Sequence, residues 1–461
     1  MRFRYSIILG TLLLLLIGFI TQMGFAQDQL PSENQSQEST SVLFENVRIF
    51  DGTSEQLSAP SNVLVVGNKI QTISTASISA PTEGRVSRIN GEERVLMPGL
   101  IDAHTHLYWE NIPIETLASP NTPVETLDKA VETTAKNVLL RGFTSVRDMA
   151  GPVFRVKKAI DAGKVVGPRI YPSGAMISQT SGHGDFRELS ELPRTPTTPL
   201  SRGELLGAGA VADGVDEVLR RTREQLMQGA SQIKVSAGGG VASDFDPLDV
   251  SQYTESELHA AVEAAASWNT YVTVHAYTPT AIQLAIQAGV KAIEHGHLMD
   301  DKTARLMAEK GIWLSIQPFL DDEDAIPVPE ANRSKQVQLF QGTDTAYALA
   351  KQYNLKTAWG TDTQFDARLA TRQGAQLAKM VRWYTPAQVL RMATSTNAEL
   401  LALSGPRNPY PGELGVVKEG ALADLLLVDG NPLENIQLIE DPAKNFVVIM
   451  KDGKIYQNLL G

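Results

Sequence analysis

The chain has 461 residues, 43% of them hydrophobic, which is enough for a large buried core and two or three domains. Its formal net charge of −11, without any basic stripe, argues against a nucleic-acid partner. It contains no cysteine, which excludes disulfides and a lipid anchor on a cysteine.

The first 26 residues have the pattern of a signal peptide. Arg2 and Arg4 precede an apolar run over residues 7–20, and Gly24 and Ala26 supply the small residues of a cleavage site. The run is shorter than the roughly 20 residues of a membrane-spanning helix, so cleavage after Ala26 is favoured over a retained anchor. Residues 27–40 are rich in Gln, Ser and Glu and are predicted to form a disordered leader. We therefore expect an exported protein, periplasmic or secreted, without a stable membrane anchor.

Both ends of the remaining chain are rich in short β-segments separated by turn signals. The predicted strands cover residues 42–49, 62–66, 69–73 and 93–97 near the N-terminus, and 415–417, 423–428, 446–450 and 454–457 near the C-terminus. Because the two flanks share this pattern around a different middle, we predict one discontinuous β-sandwich domain formed by residues 41–98 and 406–461.

Residues 99–405 alternate strand and helix, which is typical of parallel βα units. Three helix starts are indicated by capping sequences, at Thr254, Thr385 and Thr396. Eight βα units close into a (β/α)8 barrel, an α/β fold that places its chemistry at the C-terminal ends of the strands. The eight predicted strands end near His106, Asp148, Gly174, Gly238, Tyr277, His297, Pro318 and Thr363.

Polar residues that are unusual in strands fall at those C-terminal ends. His104 and His106 are two apart, so they point to the same side of the first strand and offer two imidazoles to one point. Later strand ends add further candidates of the same kind, namely Lys234, His275, His295 and Asp362. Imidazoles and carboxylates suit Zn²⁺ and similar divalent metals. So many ligands exceed the needs of one structural site and favour two ions that share a hydroxide.

These motifs resemble those of the amidohydrolase superfamily. The matching segments are residues 97–106, 233–235, 274–277, 293–296, 359–362 and 420–425. Within the superfamily the chain is most similar to the branch related to imidazolonepropionase, which contains exported Xaa-Pro dipeptidases and ochratoxin-hydrolysing amidases. Three short segments carry this closer likeness: Gly182-His183-Gly184, Gly238-Gly239-Gly240-Val241 and, following it, Asp246-Pro247-Leu248.

The resemblance implies a site with two divalent metal ions, Zn²⁺ being the expected metal. The two implied ligand groups are His104, His106 and Asp362 for one ion and His275 and His295 for the other. Lys234 would be carboxylated on its amine and bridge the ions. The alternative role for Lys234 is that its aliphatic chain covers apolar surface. A metal-bridging hydroxide would attack the amide of a dipeptide or an N-acyl amino acid such as ochratoxin. Asp362 would then pass the proton to the leaving amine; its alternative is a helix cap.

Three more residues are candidates for substrate binding. His183, between glycines, is predicted to bind the scissile carbonyl or stabilise the oxyanion, and a loop-ordering role is the alternative. Tyr277 follows His275 on the same side of the strand and could donate to a substrate carboxylate, or be a core tyrosine satisfied elsewhere. His297 either faces the substrate or supports the ligands from behind, and the supporting role is preferred.

Two other functions remain open at the level of the sequence. A phosphotriesterase or lactonase could use the same two-metal site. A non-catalytic exported metal-binding protein is the alternative from another class, against which the complete ligand set with Asp362 argues. If the protein is an amide hydrolase, we expect a small amide or peptide as its binding partner. The resemblance also implies a homo-oligomer.

Overall fold

The computed structural model describes residues 40–79, 81, 84–195 and 197–460. The predicted signal peptide and all but Thr40 of the predicted leader lie outside the described residues. Within the described part of the chain, no helix combines the length and apolar character needed to cross a membrane.

The described residues form two groups of strands, one from the chain ends and one from the middle. The strands are β1 (Thr40–Ile49), β2 (Ser61–Val66), β3 (Lys69–Ser74), β4 (Arg85–Asn90), β5 (Val95–Pro98), β6 (Leu100–Thr105), β7 (Phe143–Asp148), β8 (Arg169–Pro172), β9 (Met176–Ser178), β10 (Gly209–Val211), β11 (Ile233–Ser236), β12 (Val272–Ala276), β13 (Ala292–His295), β14 (Trp313–Ile316), β15 (Thr357–Trp359), β16 (Leu425–Val428), β17 (Phe446–Lys451) and β18 (Lys454–Asn458).

Helices connect the strands of the middle region. They are α1 (Ile114–Ala118), α2 (Val124–Leu140), α3 (Phe154–Asp161), α4 (Arg202–Leu206), α5 (Val215–Gln228), α6 (Glu255–Ser267), α7 (Pro279–Ala288), α8 (Asp301–Lys310), α9 (Arg333–Gln352), α10 (Ala367–Thr371), α11 (Gln373–Ala378), α12 (Pro386–Arg391), α13 (Asn397–Ala402) and α14 (Pro442–Asn445). A π-helical turn (Met392–Thr396) joins α12 to α13, and short 3₁₀ turns occur at Leu189–Glu191, Glu330–Asn332, Lys379–Arg382, Gly405–Arg407 and Ile436–Glu440.

Strands from both chain ends pair in the order β18-β17-β16-β5-β1-β2-β3, with β4 beside β1. Strand β1 pairs with β4 over residues 40–45 and with β5 at Arg48 and Ile49. The register between β1 and β2 shifts between Phe44 and Val47, where Asn46 has a φ of 52°, so β1 bends and joins two layers. Apolar side chains from both ends pack into one core between them. The predicted sandwich of both termini is thus present, while its exact boundaries stay a prediction.

The strands of the middle region are parallel and form the predicted barrel. Strands β6 to β8 are consecutive neighbours, and so are β11 to β15. Ser231 N donates to Pro172 O at 2.8 Å between β8 and β11, and Asp362 N donates to His104 O at 2.8 Å between β15 and β6. These two contacts close the ring, so the carboxyl ends of all eight strands face one side. The short strands β9 and β10 are additions that the sequence did not predict.

Two of the three predicted helix starts are confirmed and one is wrong. Thr254 opens α6 and Thr385 opens α12, each through a capping box. Thr396 has helical dihedrals and no cap, because α12 continues through the π-helical turn into α13. Asn397 instead uses its side chain to bind the barrel: Nδ2 donates to Ile101 O and Trp359 O at 2.7 and 2.8 Å.

The strand predictions at the chain ends contain one error and one omission. Residues 415–417 form no strand, since Gly415 turns with a φ of 72° and Val417 makes a single backbone bond, to Asp51 O. Val416 and Val417 are nonetheless buried, which explains their strand-like sequence. Strand β4 was missed because most of its side chains are exposed and polar.

Candidate metal centre and active site

The barrel brings all six predicted ligands to one place. They extend from the carboxyl ends of β6, β11, β12 and β13 and from the segment after β15, and they line a cavity of about 510 Å³. Each is buried, with exposed fractions from 0% for His104 to 6% for Asp362. Burial of six ionisable side chains is unfavourable unless they form hydrogen bonds or ion pairs with one another or bind a metal ion. The members are His104, His106, Lys234, His275, His295 and Asp362.

Three of these residues already have the geometry of a metal site. The ligand atoms of His104, His106 and Asp362 all lie within 4.8 Å of one another. Asp362 Oδ1 is 3.0 Å from His106 Nε2 and 3.4 Å from His104 Nε2. His295 approaches the other carboxylate oxygen, with Nδ1 at 3.9 Å from Oδ2. Asp362 therefore contacts both histidines of the first implied ligand group and lies close to His295 of the second.

Hydrogen bonds behind the histidines fix which ring nitrogen is free to bind. In each case one nitrogen faces an oxygen that can only accept, so that nitrogen carries the proton and the other keeps its lone pair. The pairs are His104 Nδ1 with Glu294 Oε2 at 2.7 Å, His295 Nδ1 with Gln317 Oε1 at 2.7 Å, and His275 Nε2 with Gly239 O at 3.1 Å. His104 Nε2 is buried without a hydrogen-bond partner among the described residues, as expected of a nitrogen whose lone pair is available to a metal ion.

Burial keeps the ligands in the protonation states that metals need. Burial, reinforced by the charge of Lys234, lowers the pKa of His104 to about 4. Burial also holds the pKa of His275 and of His295 well below the ordinary value. The same desolvation lowers the pKa of Lys234 to about 8, so about a tenth of this amine is neutral at pH 7, far more than for an exposed lysine. A neutral amine is the form that can take up CO₂.

Asp362 is held as a carboxylate. Burial by itself raises its pKa, but the nearby His104, His106 and Lys234 outweigh burial and hold the pKa of Asp362 below its usual range. The carboxylate is therefore ionised near neutral pH, the form that can accept a proton.

The backbone around the ligands adopts conformations that most residues avoid. His295 has a φ of 78° and Asp362 a φ of 55°, both in the left-handed region. Gly360 lies so close to β6 that a Cβ atom there would meet His104 N and Cβ at 2.5 Å. Only glycine permits this approach, which brings Asp362 beside the two histidines of β6.

A buried ion pair supports the centre from below. Arg147 Nη2 donates to Glu294 Oε1 and Oε2 at 2.7 and 2.9 Å, and Glu294 in turn holds His104. Both side chains are fully buried. Neither residue was predicted from the sequence to have a role, although a charged residue inside each of the strand segments Val146-Arg147 and Ile293-Glu294 was a signal. Asp102 has a structural role, since it accepts from Thr361 Oγ1 at 2.8 Å and so joins β6 to the segment after β15.

The three predicted substrate-binding residues occupy different positions. His183 and Tyr277 line the cavity. The ring of His183 stacks on His275 at 3.9 Å, and Tyr277 meets His275 edge-on at 4.7 Å. His297 is not among the lining residues; its Nε2 faces Gln317 O at 2.9 Å. This position agrees with the preferred supporting role rather than with direct substrate contact.

Aromatic side chains form the wall next to the first ligand pair. Trp109 stacks on His106 with ring centroids 4.6 Å apart, and Phe186 and Phe365 contact Trp109 at 5.7 and 6.1 Å. A second apolar wall lies next to His295, on whose ring Phe319 stacks with centroids 6.2 Å apart, and Val328 and Leu339 also line the cavity. None of these residues was predicted from the sequence, because all but Leu339 on α9 lie in loops without a periodic pattern.

Comparisons with known proteins agree with this architecture. Residues 95–457 match the model of the amidohydrolase family. Ochratoxinase of Aspergillus niger is 36% identical over 377 residues, which cover 79% of this chain and 76% of the relative. A prolidase crystal structure with bound N-methylphosphonate-L-proline has a TM-score of 0.82 at 31% identity, covering 91% of this chain and all of that one. A Xaa-Pro dipeptidase with methionine in its active site has a TM-score of 0.76 at 28% identity, again covering 91% and 100%. The chain belongs to the amidohydrolase family and is a hydrolase that acts on amide bonds.

Proposed function

We propose that this protein uses two divalent metal ions to hydrolyse the amide bond of a small dipeptide or N-acyl amino acid. The observation that carries this proposal is the convergence of six buried ligand-type side chains, including a lysine, on one cavity at the carboxyl ends of the barrel strands. A structural metal site would need fewer ligands and no cavity beside them. The printed activities of the relatives, ochratoxinase and prolidase, support an amide as the substrate.

The residues present would suit two ions, and Lys234, once carboxylated, would be their shared ligand. His104, His106 and Asp362 would hold one ion, and His275 and His295 the other. The unpartnered Nε2 of His104 and the outward hydrogen bonds of His275 and His295 leave nitrogen lone pairs for this purpose. Bound ions of this type, for which we propose Zn²⁺, lower the pKa of water and polarise a carbonyl group.

The chain's own residues supply binding and proton transfer. Asp362 is ionised and next to the ligands, so it takes the proton from the attacking water and delivers it to the nitrogen of the leaving amine. The His183 ring lies over His275 and binds the scissile carbonyl. The Tyr277 hydroxyl, on the adjacent side of His275, donates to the carboxylate of the leaving residue.

The cavity favours a substrate with apolar groups on both sides of the amide. Its volume of about 510 Å³ falls within the roughly 300–1,000 Å³ of small-molecule sites. Trp109 and Phe365 form one apolar wall and Phe319 and Leu339 lie in the other. We therefore propose an N-acylated amino acid with aromatic groups, of which ochratoxin is one example, ahead of a small polar dipeptide.

A substrate panel and a metal analysis test the proposal together. The panel contains Xaa-Pro and other dipeptides, N-acyl phenylalanines, ochratoxin A, lactones and phosphotriesters. We expect amide turnover and two metal ions per chain. Turnover of phosphotriesters or lactones without amides would show that the amide assignment is wrong. One ion or none per chain in active enzyme would contradict the two-metal centre.

Asp362→Asn tests the proton-transfer role. We expect a loss of roughly 10²- to 10⁴-fold in kcat, the usual contribution of general acid–base catalysis, with the metal content kept. Asp441→Asn is the matched control, because Asp441 caps α14 at Lys444 N and should leave kcat unchanged. Full activity of Asp362→Asn would contradict the role.

We also propose that the protein is exported and that it forms a homo-oligomer. The N-terminal basic residues, the apolar run and the small residues up to Ala26 support cleavage there. N-terminal sequencing of protein purified from the periplasm or medium should begin at Gln27.

Light scattering of the purified protein should give a mass that is a multiple of the chain mass, and a monomer mass would contradict the assembly.

A further inference from the structure

The segment of residues 238–248, here called the glycine loop, packs directly against His183. A Cβ atom at Gly240 would lie 1.8 Å from His183 Nδ1, so only glycine allows the loop to pass here. The ring of His275 stacks on His183 at 3.9 Å. The His183 backbone is fixed as well, since its N–H donates to Gln252 Oε1 at 3.0 Å. The imidazole is thus confined between a metal-ligand candidate and a loop.

Two polar side chains of the glycine loop hold one edge of this ring. His183 Nδ1 is 2.7 Å from Ser243 Oγ and 3.6 Å from Asp246 Oδ2. Asp246 is 1% exposed and accepts from Gly240 N at 2.7 Å. With Nδ1 engaged in this way, Nε2 is the nitrogen left for the cavity that His183 lines.

Lys335 on α9 holds the glycine loop in place. Its Nζ donates to the carbonyl oxygens of Ser243, Gly240 and Asp246 at 2.8, 3.2 and 3.2 Å. An ammonium group has three donors, and all three are used on this loop. Lys335 does not line the cavity, so its charge serves the loop and not a substrate.

We propose that Ser243, Asp246 and Lys335 form a positioning network that holds His183 with Nε2 towards the substrate. Ser243 and Asp246 fix the orientation of the ring, and Lys335 fixes the loop that carries them. The inference rests on the proposed function, in which His183 binds the scissile carbonyl. Partners of this kind behind an active-site histidine set its orientation and so determine how well it meets the reacting atom.

A double-mutant cycle separates positioning from general support of the fold. Ser243→Ala and Asp246→Ala should each lower kcat/KM for the best amide of the panel by roughly 10- to 100-fold. Ser243→Thr, which keeps the hydroxyl, should retain most activity. In a His183→Asn background, Ser243→Ala should cost less than about twofold, because the side chain through which it acts is gone. Equal costs in both backgrounds would overturn the proposal.

Lys335 has a matched control on the same helix. Lys335→Met should lower kcat/KM, whereas Lys351→Met, which removes a lysine that donates to Trp383 O and lies over the Tyr384 ring, should leave it unchanged. Equal effects of the two variants would overturn the role of Lys335. Melting curves identify any variant that fails to fold; Ser243→Ala removes a single oxygen and keeps the cycle usable if Asp246→Ala does not fold.

A crystal structure of Ser243→Ala tests the network without turnover. We expect the His183 ring to be rotated or spread over several conformers, and an unchanged ring would overturn the proposal. If the wild-type enzyme hydrolyses no amide, the proposed function fails, while this ring position still decides whether the network exists.

Discussion

Arg147 is a buried cation next to the candidate metal centre, and Arg147→Met leaves the carboxylate of Glu294 without its cation. The guanidinium binds Glu294 at 2.7 and 2.9 Å and also donates to Ala103 O at 2.6 Å and Tyr271 OH at 3.1 Å. Neither member of the ion pair is exposed to solvent. Methionine fills much of the space but leaves the negative charge without its cation.

The structure sets the size and the pH dependence of the effect. Removing one partner of a buried ion pair costs about 3–5 kcal/mol of unfolding free energy. Burial raises the pKa of Glu294, but Arg147 and His104 hold it well below the ordinary value of 4.5. In the wild type this contribution to stability is present above pH 4.5 and is lost as the pH falls through the lowered pKa. In the variant, Arg147 no longer outweighs burial, so the pKa of Glu294 rises above its ordinary value. The free energy of unfolding then falls as the pH rises through that raised pKa. The loss is therefore larger at pH 7 than at pH 5.

Urea unfolding of metal-free protein at both pH values measures this loss. Arg147→Met combined with Glu294→Gln removes both charges and should recover part of the stability. Arg382→Met is the control, because the Arg382–Asp344 pair is about half exposed and should contribute at most about 1 kcal/mol. A loss in Arg147→Met no larger than in this control, or a double variant with fully additive losses, would refute the reasoning.

Three further changes have defined outcomes. Asn397→Ala removes hydrogen bonds to Ile101 and Trp359 and should lower the unfolding free energy by about 3 kcal/mol in urea titrations, since buried backbone groups lose their partners. Trp109→Ala should lower kcat/KM roughly three- to tenfold more for N-acyl amino acids with an aromatic acyl group than for acetyl analogues, the size of an aromatic pair; equal losses would contradict its part in the wall. Chelation should lower the melting temperature and added Zn²⁺ should restore it, because ions that bind only the folded state stabilise it; an unchanged melting temperature would contradict a metal centre.

The positions of the six candidate ligands could be predicted because their placement follows from chain connectivity. Parallel strands in a barrel share one carboxyl end, so residues at strand ends such as His104 and His275 must meet whatever the rest of the sequence is. The helix starts at Thr254 and Thr385 were equally local, since a capping box involves only four residues. Thr396 has the same local pattern, but it lies inside a continuous helix because packing of Asn397 on the barrel outweighs the cap.

The direction of the His297 side chain could not be predicted from the strand pattern of the sequence. The two-residue alternation of a strand would place it on the same side as His295. His295 and Gly296 have φ values of 78° and 67°, which end the alternation, and His297 turns to Gln317 instead. Tyr277 follows His275 without such a break and does line the cavity.

The sequence by itself determined the barrel with its flanking β-strands and the ligand-bearing strand ends, because these depend on periodicity and on residues within a few positions of one another. The tertiary structure decided which side chains support and surround them. The Arg147–Glu294 pair spans 147 residues, and the contact of Ser243 with His183 spans 60. Such contacts form only when distant strands and loops close around a common cavity, and no local pattern encodes their geometry.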